Sequence, residues 1–107
     1  MIENQHIEFK ASWRDEYLKW VCGFANSKGG KLFIGINDNG EVTGIPGYKK
    51  LAEDIPNKII SQLGVVCEII VLEESSRYYI EIAVPPYEVA ISFNGKIITD
   101  QVVLCKN

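Results

Sequence analysis

The run Phe24-Ala25-Asn26-Ser27-Lys28-Gly29-Gly30-Lys31-Leu32-Phe33-Ile34-Gly35-Ile36 leaves few folds open to this chain. Just before and into it, Tyr17, Trp20, Val21, Phe24 and Ala25 recur at steps of three and four, which predicts a helix with one side on a sheet and Arg14, Glu16 and Lys19 in water. Gly29 and Gly30 end that helix, because glycine alone enters the left-handed region without steric cost. Leu32 to Ile36 is too continuously apolar for a surface strand and belongs in the middle of a sheet. A helix reversing into a central strand lays one layer on another, with Asn26 and Lys28 on a loop at one end and Asp38 on a loop at the other.

The order of these pieces also excludes a function. A phosphate-binding P-loop needs its glycines after a strand and before a helix, so that backbone N–H groups and the helix N-terminus face the phosphates. Here Gly-Gly-Lys follows a helix and precedes a strand.

The remaining segments extend the same architecture. Ile7 to Lys10 alternates as a half-buried strand, with Ile7 and Phe9 on one face and Glu8 and Lys10 on the other. Ser12 is placed to cap the helix, with Asp15 and Glu16 in its first turn. Asn37 to Gly40 predicts a turn and Glu41 to Ile45 a return strand, making a hairpin. Leu51, Ile55, Ile59, Ile60 and Leu63 have helical spacing, interrupted by Pro56; the pattern predicts a helical turn at Tyr48–Ala52 and a separate helix from Asp54 with Pro56 in its first turn. Val65–Leu72 and Tyr78–Val84 are strands, and Asn94-Gly95 predicts a hairpin between Val89–Phe93 and Lys96–Ile98. The expected fold is α+β: two layers, with a mixed, mainly antiparallel sheet packed against two main helices.

Length and charge bound the function. At 107 residues the chain forms about one domain, and no apolar run approaches the length that crosses a bilayer. The N-terminus lacks a signal peptide's pattern, and Cys22, Cys67 and Cys105 form no CxxC pair, so we expect a cytoplasmic protein with reduced thiols. The net charge of −3 counts against a dedicated nucleic-acid binder, yet Lys10, Arg14, Lys19, Lys28 and Lys31 all fall in the first third. Lys10, Arg14, Lys28 and Lys31, with Asn26 and Ser27, are candidate phosphate contacts; solvated lysines on an acidic protein explain them equally well. Glu3, Glu8 and Asp38 are candidate ligands for Mg²⁺ or Mn²⁺, an ion that can activate water against a phosphodiester. Solvated carboxylates are the ordinary alternative, and Glu3 and Glu8 reach one face only if the chain bends near Asn4 or Gln5. His6, the single histidine, is expected to lie exposed on the approach to the first strand.

Taken together, Glu-Phe-Lys at Glu8–Lys10, Phe-Ala-Asn-Ser-Lys-Gly-Gly at Phe24–Gly30, Leu-Phe-Ile-Gly-Ile-Asn-Asp-Asn-Gly at Leu32–Gly40 and Val-Thr-Gly at Val42–Gly44 resemble the Alba-like domain of the Schlafen family. In bacteria that domain is described as a DNA-binding or divergent AAA domain of transcriptional regulators and helicase-related proteins. The resemblance implies a DNA- or RNA-binding α+β domain with no certain cofactor. Ribonuclease members use a metal-binding carboxylate trio, which carries over to Glu3, Glu8 and Asp38, with Lys10 beside the phosphate. A third expectation is an assembly module that forms homodimers through exposed strand edges.

The family continues after Asn94-Gly95-Lys96 with a segment like Tyr-Tyr-Arg-Ser-Gly-Ser-x-Met-Gln-Glu, where this chain has Ile-Ile-Thr-Asp-Gln-Val-Val-Leu-Cys-Lys-Asn. Codons for that tail can spell the family segment in a shifted frame. Residues 1–96 are therefore expected to be the domain, and 97–107 an atypical tail from a frameshift or truncation, either poorly ordered or paired through Val-Val-Leu at a strand edge.

Overall fold

The structure, a computed structural model, describes residue 4, residues 6–98 and, as backbone only, residues 103–105. Its main sheet holds β1 (Ile7–Lys10), β2 (Gly30–Ile34), β3 (Glu68–Glu74) and β4 (Arg77–Val84) in the order β1-β2-β4-β3. β1 runs parallel to β2, and the other pairs are antiparallel. The α+β expectation holds, and β2 is central as its apolar sequence requires, with Leu32, Phe33 and Ile34 all buried.

Two helices cover one face of the sheet: α1 (Leu18–Ala25) and α2 (Tyr48–Leu63). Leu32, Ile34, Ile80, Ile82 and Val84 point into this layer and meet Val21, Phe24, Ile55 and Ile59 in the principal core. The opposite face carries a smaller core of Phe9, Phe33 and Ile36, with Tyr79 and Val42 against it. Phe33 packs edge-on to Phe9 at 6.0 Å between ring centroids. A second sheet, β5 (Ser92–Phe93), β6 (Lys96–Ile98) and β7 (Val103–Cys105), is joined at Asn94-Gly95, both in the positive-φ conformation of the expected tight turn. β7 pairs with β6 antiparallel, so the Val-Leu run of the tail lies on a strand edge.

Several local expectations need correction. Ser12 is not the cap: a 3-10 turn at Asp15–Tyr17 precedes α1, with extended Arg14 at its start, and Trp13 Nε1 donates to Asp15 instead. Glu41–Ile45 forms no strand; a single bridge joins Ile36 to Val42, because Gly35 (φ 102°) and Gly44 (φ 75°) turn the chain out of an extended ladder. α2 is one helix running through Pro56. Proline inside a helix removes a hydrogen bond and costs about 3 kcal/mol. The helix nevertheless continues, because Leu51 and Ala52 before the proline and Ile55, Ile59 and Leu63 around it bury one shared face.

Only Gly29 of the glycine pair is left-handed (φ 79°). Gly30 is required for space: a Cβ there would lie 2.5 Å from the Phe24 ring and 2.8 Å from the His6 carbonyl oxygen. The pair thus does two jobs, reversing the chain and letting β2 start directly beneath the end of α1.

Candidate nucleic-acid interface

Because β1 and β2 are parallel and α1 runs back between them, the ends of α1 lie over opposite ends of the two strands. The candidate cations divide accordingly. Lys10 and Arg14 belong to the end where α1 begins, and Lys28 and Lys31 to the end where it stops. α1 has 8 residues, so the groups are separated by about 12 Å along its axis.

Lys10 is the most constrained of these residues. It is level with Ile34 on the helix side of the sheet, and Glu8 is level with Leu32 on the same side. The polar face of β1 therefore turns toward the helices while Phe9 fills the opposite core. This is possible because β1 is an edge strand whose helix-side positions reach the aromatic border of α1. The Lys10 ammonium lies 4.9 Å from the Tyr17 ring centroid and 5.1 Å from that of Trp20. Glu8 Oε2 is 3.5 Å from it, and the two side chains are 23% and 17% exposed. Both contacts hold the ammonium in place and restrict a side chain that otherwise carries much rotamer freedom. Trp20 Nε1 is buried without a hydrogen-bond partner among the described residues, so packing holds the ring there rather than its polar edge.

Arg14 is exposed and lies 3.5 Å from Glu16. Lys58 of α2 reaches across to Asp15 at 2.7 Å, fastening the 3-10 turn to α2. Together with the Trp13 hydrogen bond, this holds the Asp15 carboxyl below the usual carboxylate range.

At the other end, Lys28 is exposed in the loop and Lys31 lies 3.7 Å from Glu81. His6 is part-buried, not exposed as expected: its Nδ1 is 3.3 Å from the Gly29 carbonyl oxygen, and its own carbonyl accepts from Lys31 N. Asn26 proves to be a clamp. Its Nδ2 donates to the Ile91 and Ile98 carbonyls at 2.7 and 2.8 Å, and its Oδ1 accepts from Ile91 N at 2.7 Å. This one amide ties the end of α1 to both β6 and the strand approach before β5, and its two N–H donors are used inside the protein. Ser27 Oγ donates to the Phe24 carbonyl.

Of the carboxylates, Asp38 is exposed at the tip after β2, in a turn shaped by Asn37, whose Oδ1 accepts from Asn39 N and Glu41 N. Glu8 sits within β1, and Glu3 lies outside the described residues. Among the described residues no three His, Cys, Asp or Glu side chains come together to hold a metal ion. Cys22 and Cys67 are free thiols, both pushed up by burial. No helix among the described residues is long and apolar enough to cross a membrane.

Sequence reasoning did not find Tyr17 and Trp20 as the lysine's neighbours. Their helical spacing reads as core, and the register of β1 against α1 is not encoded locally.

The model of the family described as Schlafen, AlbA_2 matches residues 3–101. The chain belongs to this family. Among solved structures, the Schlafen AlbA_2 chain is similar to the DIP2311 protein from Corynebacterium diphtheriae, with TM-score 0.71 and 18% identity over 92% of this chain and 25% of that one. It is also similar to the N-terminal domain of a RecG-related protein from Nitrosomonas europaea, with TM-score 0.64 and 20% identity over 88% of this chain and 75% of that one. At these identities the likeness is one of fold, and the chain spans a quarter of the Corynebacterium protein's length. No curated protein sequence matches.

Proposed function

We propose that this Schlafen AlbA_2 domain binds DNA or RNA through its phosphates, as the recognition module of a cytoplasmic bacterial transcriptional regulator. The observation that carries the reading is Lys10: an ammonium held over Tyr17 and Trp20, beside Glu8, at the open edge of the sheet. A cation ordered in advance loses little entropy on meeting a phosphate, and aromatic faces beside it offer a base a stacking surface. Arg14 adds a contact at the same end and Lys28 one in the loop after α1, while Lys31 faces the opposite side of the sheet beside Glu81. Asn26 holds the loop that bears Lys28. Family membership supports the same reading.

Glu8 favours a second reading, a Mg²⁺- or Mn²⁺-dependent endoribonuclease using Glu3, Glu8 and Asp38, with Lys10 stabilising charge on the phosphate. Glu8 is a mostly buried carboxylate with a cation beside it, the setting in which an acid acquires a chemical role. Among the described residues no three His, Cys, Asp or Glu side chains come together at Glu8, and Glu3 lies outside those residues. No catalytic step is therefore drawn through a metal ion.

The test is anisotropy of labelled single-stranded RNA, tRNA and duplex DNA in EDTA across a salt series, followed by incubation with Mn²⁺. Metal-free binding that weakens steeply with salt is expected, and Lys10→Met should flatten the log–log slope by about one. Binding unchanged by Lys10→Met refutes the assignment of that residue. Cleavage that requires Mn²⁺ and disappears in Asp38→Ala transfers the function to the nuclease reading.

A further inference from the structure

The edge opposite Lys10 has a different character. β3 ends the main sheet, so among the described residues one side of its backbone has no strand partner. Five large apolar side chains are exposed among the described residues, and four border this edge: Ile60 (51%), Val66 (65%), Val71 (40%) and Tyr78. Val71 pairs with buried Ile80 and so faces the helix layer. On α2, Lys58 and Ile60 flank buried Ile59 on opposite sides. Lys58 reaches Asp15 before α1, so Ile60 points away from α1, on the β3 flank. Tyr78, opposite Glu73, stacks on Tyr48 at 4.4 Å and closes the far end of the strip.

The ends of this apolar strip are acidic. Glu68 opens β3, and Glu73 and Glu74 close it; all three are exposed, and no ion pair among the described residues neutralises them. Beside Glu68, Val66, Cys67, Ala83 and Pro85 line an open groove of about 600 Å³, with room for a long side chain reaching that carboxylate; Lys31 borders the same groove, its ammonium 3.7 Å from Glu81. Two copies of β3 meeting antiparallel about Val71 would set Glu68 against Glu74 of the other copy, a like-charge contact that disfavours self-pairing. Nucleic acid is repelled by the same carboxylates. The complement is a strand with an apolar middle and positive ends.

We propose that the β3 edge and the Ile60 flank of α2 form a docking site for an extended segment of a partner protein, added as a fifth strand, with alternating apolar residues in its centre and Lys or Arg at both ends. Backbone hydrogen bonds to β3 supply the pairing; side chains on the helix side rest on Val71 and Ile60, and the terminal cations meet Glu68 and Glu73–Glu74.

The experiment uses the full chain and two synthetic peptides, Lys-Lys-Val-Thr-Val-Ile-Lys and its counterpart with every Lys replaced by Glu. Binding is read by anisotropy and located by amide chemical shifts and hydrogen exchange. The basic peptide is expected to bind, to protect amides within Glu68–Glu74, and to weaken with salt. Val71→Lys should weaken it about tenfold. Combined Glu68→Lys and Glu74→Lys should reverse the preference toward the acidic peptide, a gain that a misfolded variant cannot give. Equal binding of both peptides, shifts confined to the β1 edge, or no binding overturns the proposal. A concentration-dependent dimer that Val71→Lys dissolves also overturns it, assigning the edge to a second copy.

Discussion

Replacing Asn26 by alanine tests how the second sheet is held. The substitution removes three hydrogen bonds at 2.7–2.8 Å, taking the Asn26 partner from the Ile91 N–H and the Ile98 carbonyl and leaving the Ile91 carbonyl only the Cys22 thiol at 3.3 Å, beside buried Ile91. A typical hydrogen bond contributes about 1 kcal/mol net, while a buried group left unpaired costs about 1–3 kcal/mol. Asn26 is only part-buried, so water re-enters and recovers some of this. The expected loss is about 2–4 kcal/mol, read as a lower urea midpoint with little change in slope. Asn26→Asp sharpens the test. Its carboxylate can accept from Ile91 N but faces two carbonyls that need donors, so the folded state should raise its pKa above the unfolded value of about 3.9. A raised carboxyl pKa means that the folded state holds its proton more tightly. This variant should therefore be relatively most stable below pH 4 and lose stability as the pH rises through its folded pKa, the reverse of ordinary acid denaturation. A loss below about 1 kcal/mol in Asn26→Ala would refute the clamp. A variant of native stability that fails to bind nucleic acid would return Asn26 to direct phosphate contact.

Asp15→Asn should remove a small stabilisation, under about 1 kcal/mol because the side chain is 65% exposed. The folded pKa of Asp15 is depressed by Lys58 and Trp13, so the wild-type advantage is present above the unfolded pKa and disappears as the pH falls through the folded one; equal acid midpoints for the two proteins would contradict this. Burial pushes the Cys67 thiol up to about 12, so in a Cys105→Ser background native protein should resist maleimide at pH 8 and react once urea unfolds it. Rapid native labelling at Cys67, located by mass spectrometry, would contradict that assignment. The coding DNA beyond Lys96 should spell Tyr-Tyr-Arg-Ser in a shifted frame; a gene that does not removes the division at residue 96.

The legible parts of the fold were those governed by neighbours in sequence. The continuous apolar run of β2, the helix-to-strand reversal at Gly29 and the Asn94-Gly95 turn each follow from local sterics or burial. The alternation of β4 likewise puts Ile80, Ile82 and Val84 in the core and Tyr79 on the opposite face. What escaped depended on partners distant in the chain. Pro56 reads as a break until Ile55 and Ile59 are seen sharing one core with Leu51, and Glu41–Ile45 reads as a strand until Gly35 and Gly44 are seen turning it aside. Asn26 read as a loop polar group available to a ligand. Its hydrogen-bond partners lie 65 and 72 residues away, and no pattern in the sequence announces them.

The charge of the whole chain misleads for a similar reason, because it averages over a sheet whose two edges differ. Near the β1 edge three acids of the described residues have a cation beside them: Glu8 has Lys10, Glu16 has Arg14, and Asp15 has Lys58 from α2. Lys19 and Lys28 remain exposed there. At the β3 edge Glu68, Glu73 and Glu74 enter no ion pair among the described residues, so much of the excess negative charge sits on that side. Three strand spacings separate β1 from β3, roughly 14 Å, which exceeds the screening length of about 8 Å at physiological salt. A phosphate approaching Lys10 therefore meets a field set by nearby charges more than by the net −3. The same separation lets one small sheet present a cationic, aromatic edge to nucleic acid and an acidic, apolar edge to a protein strand, with the core between them shared.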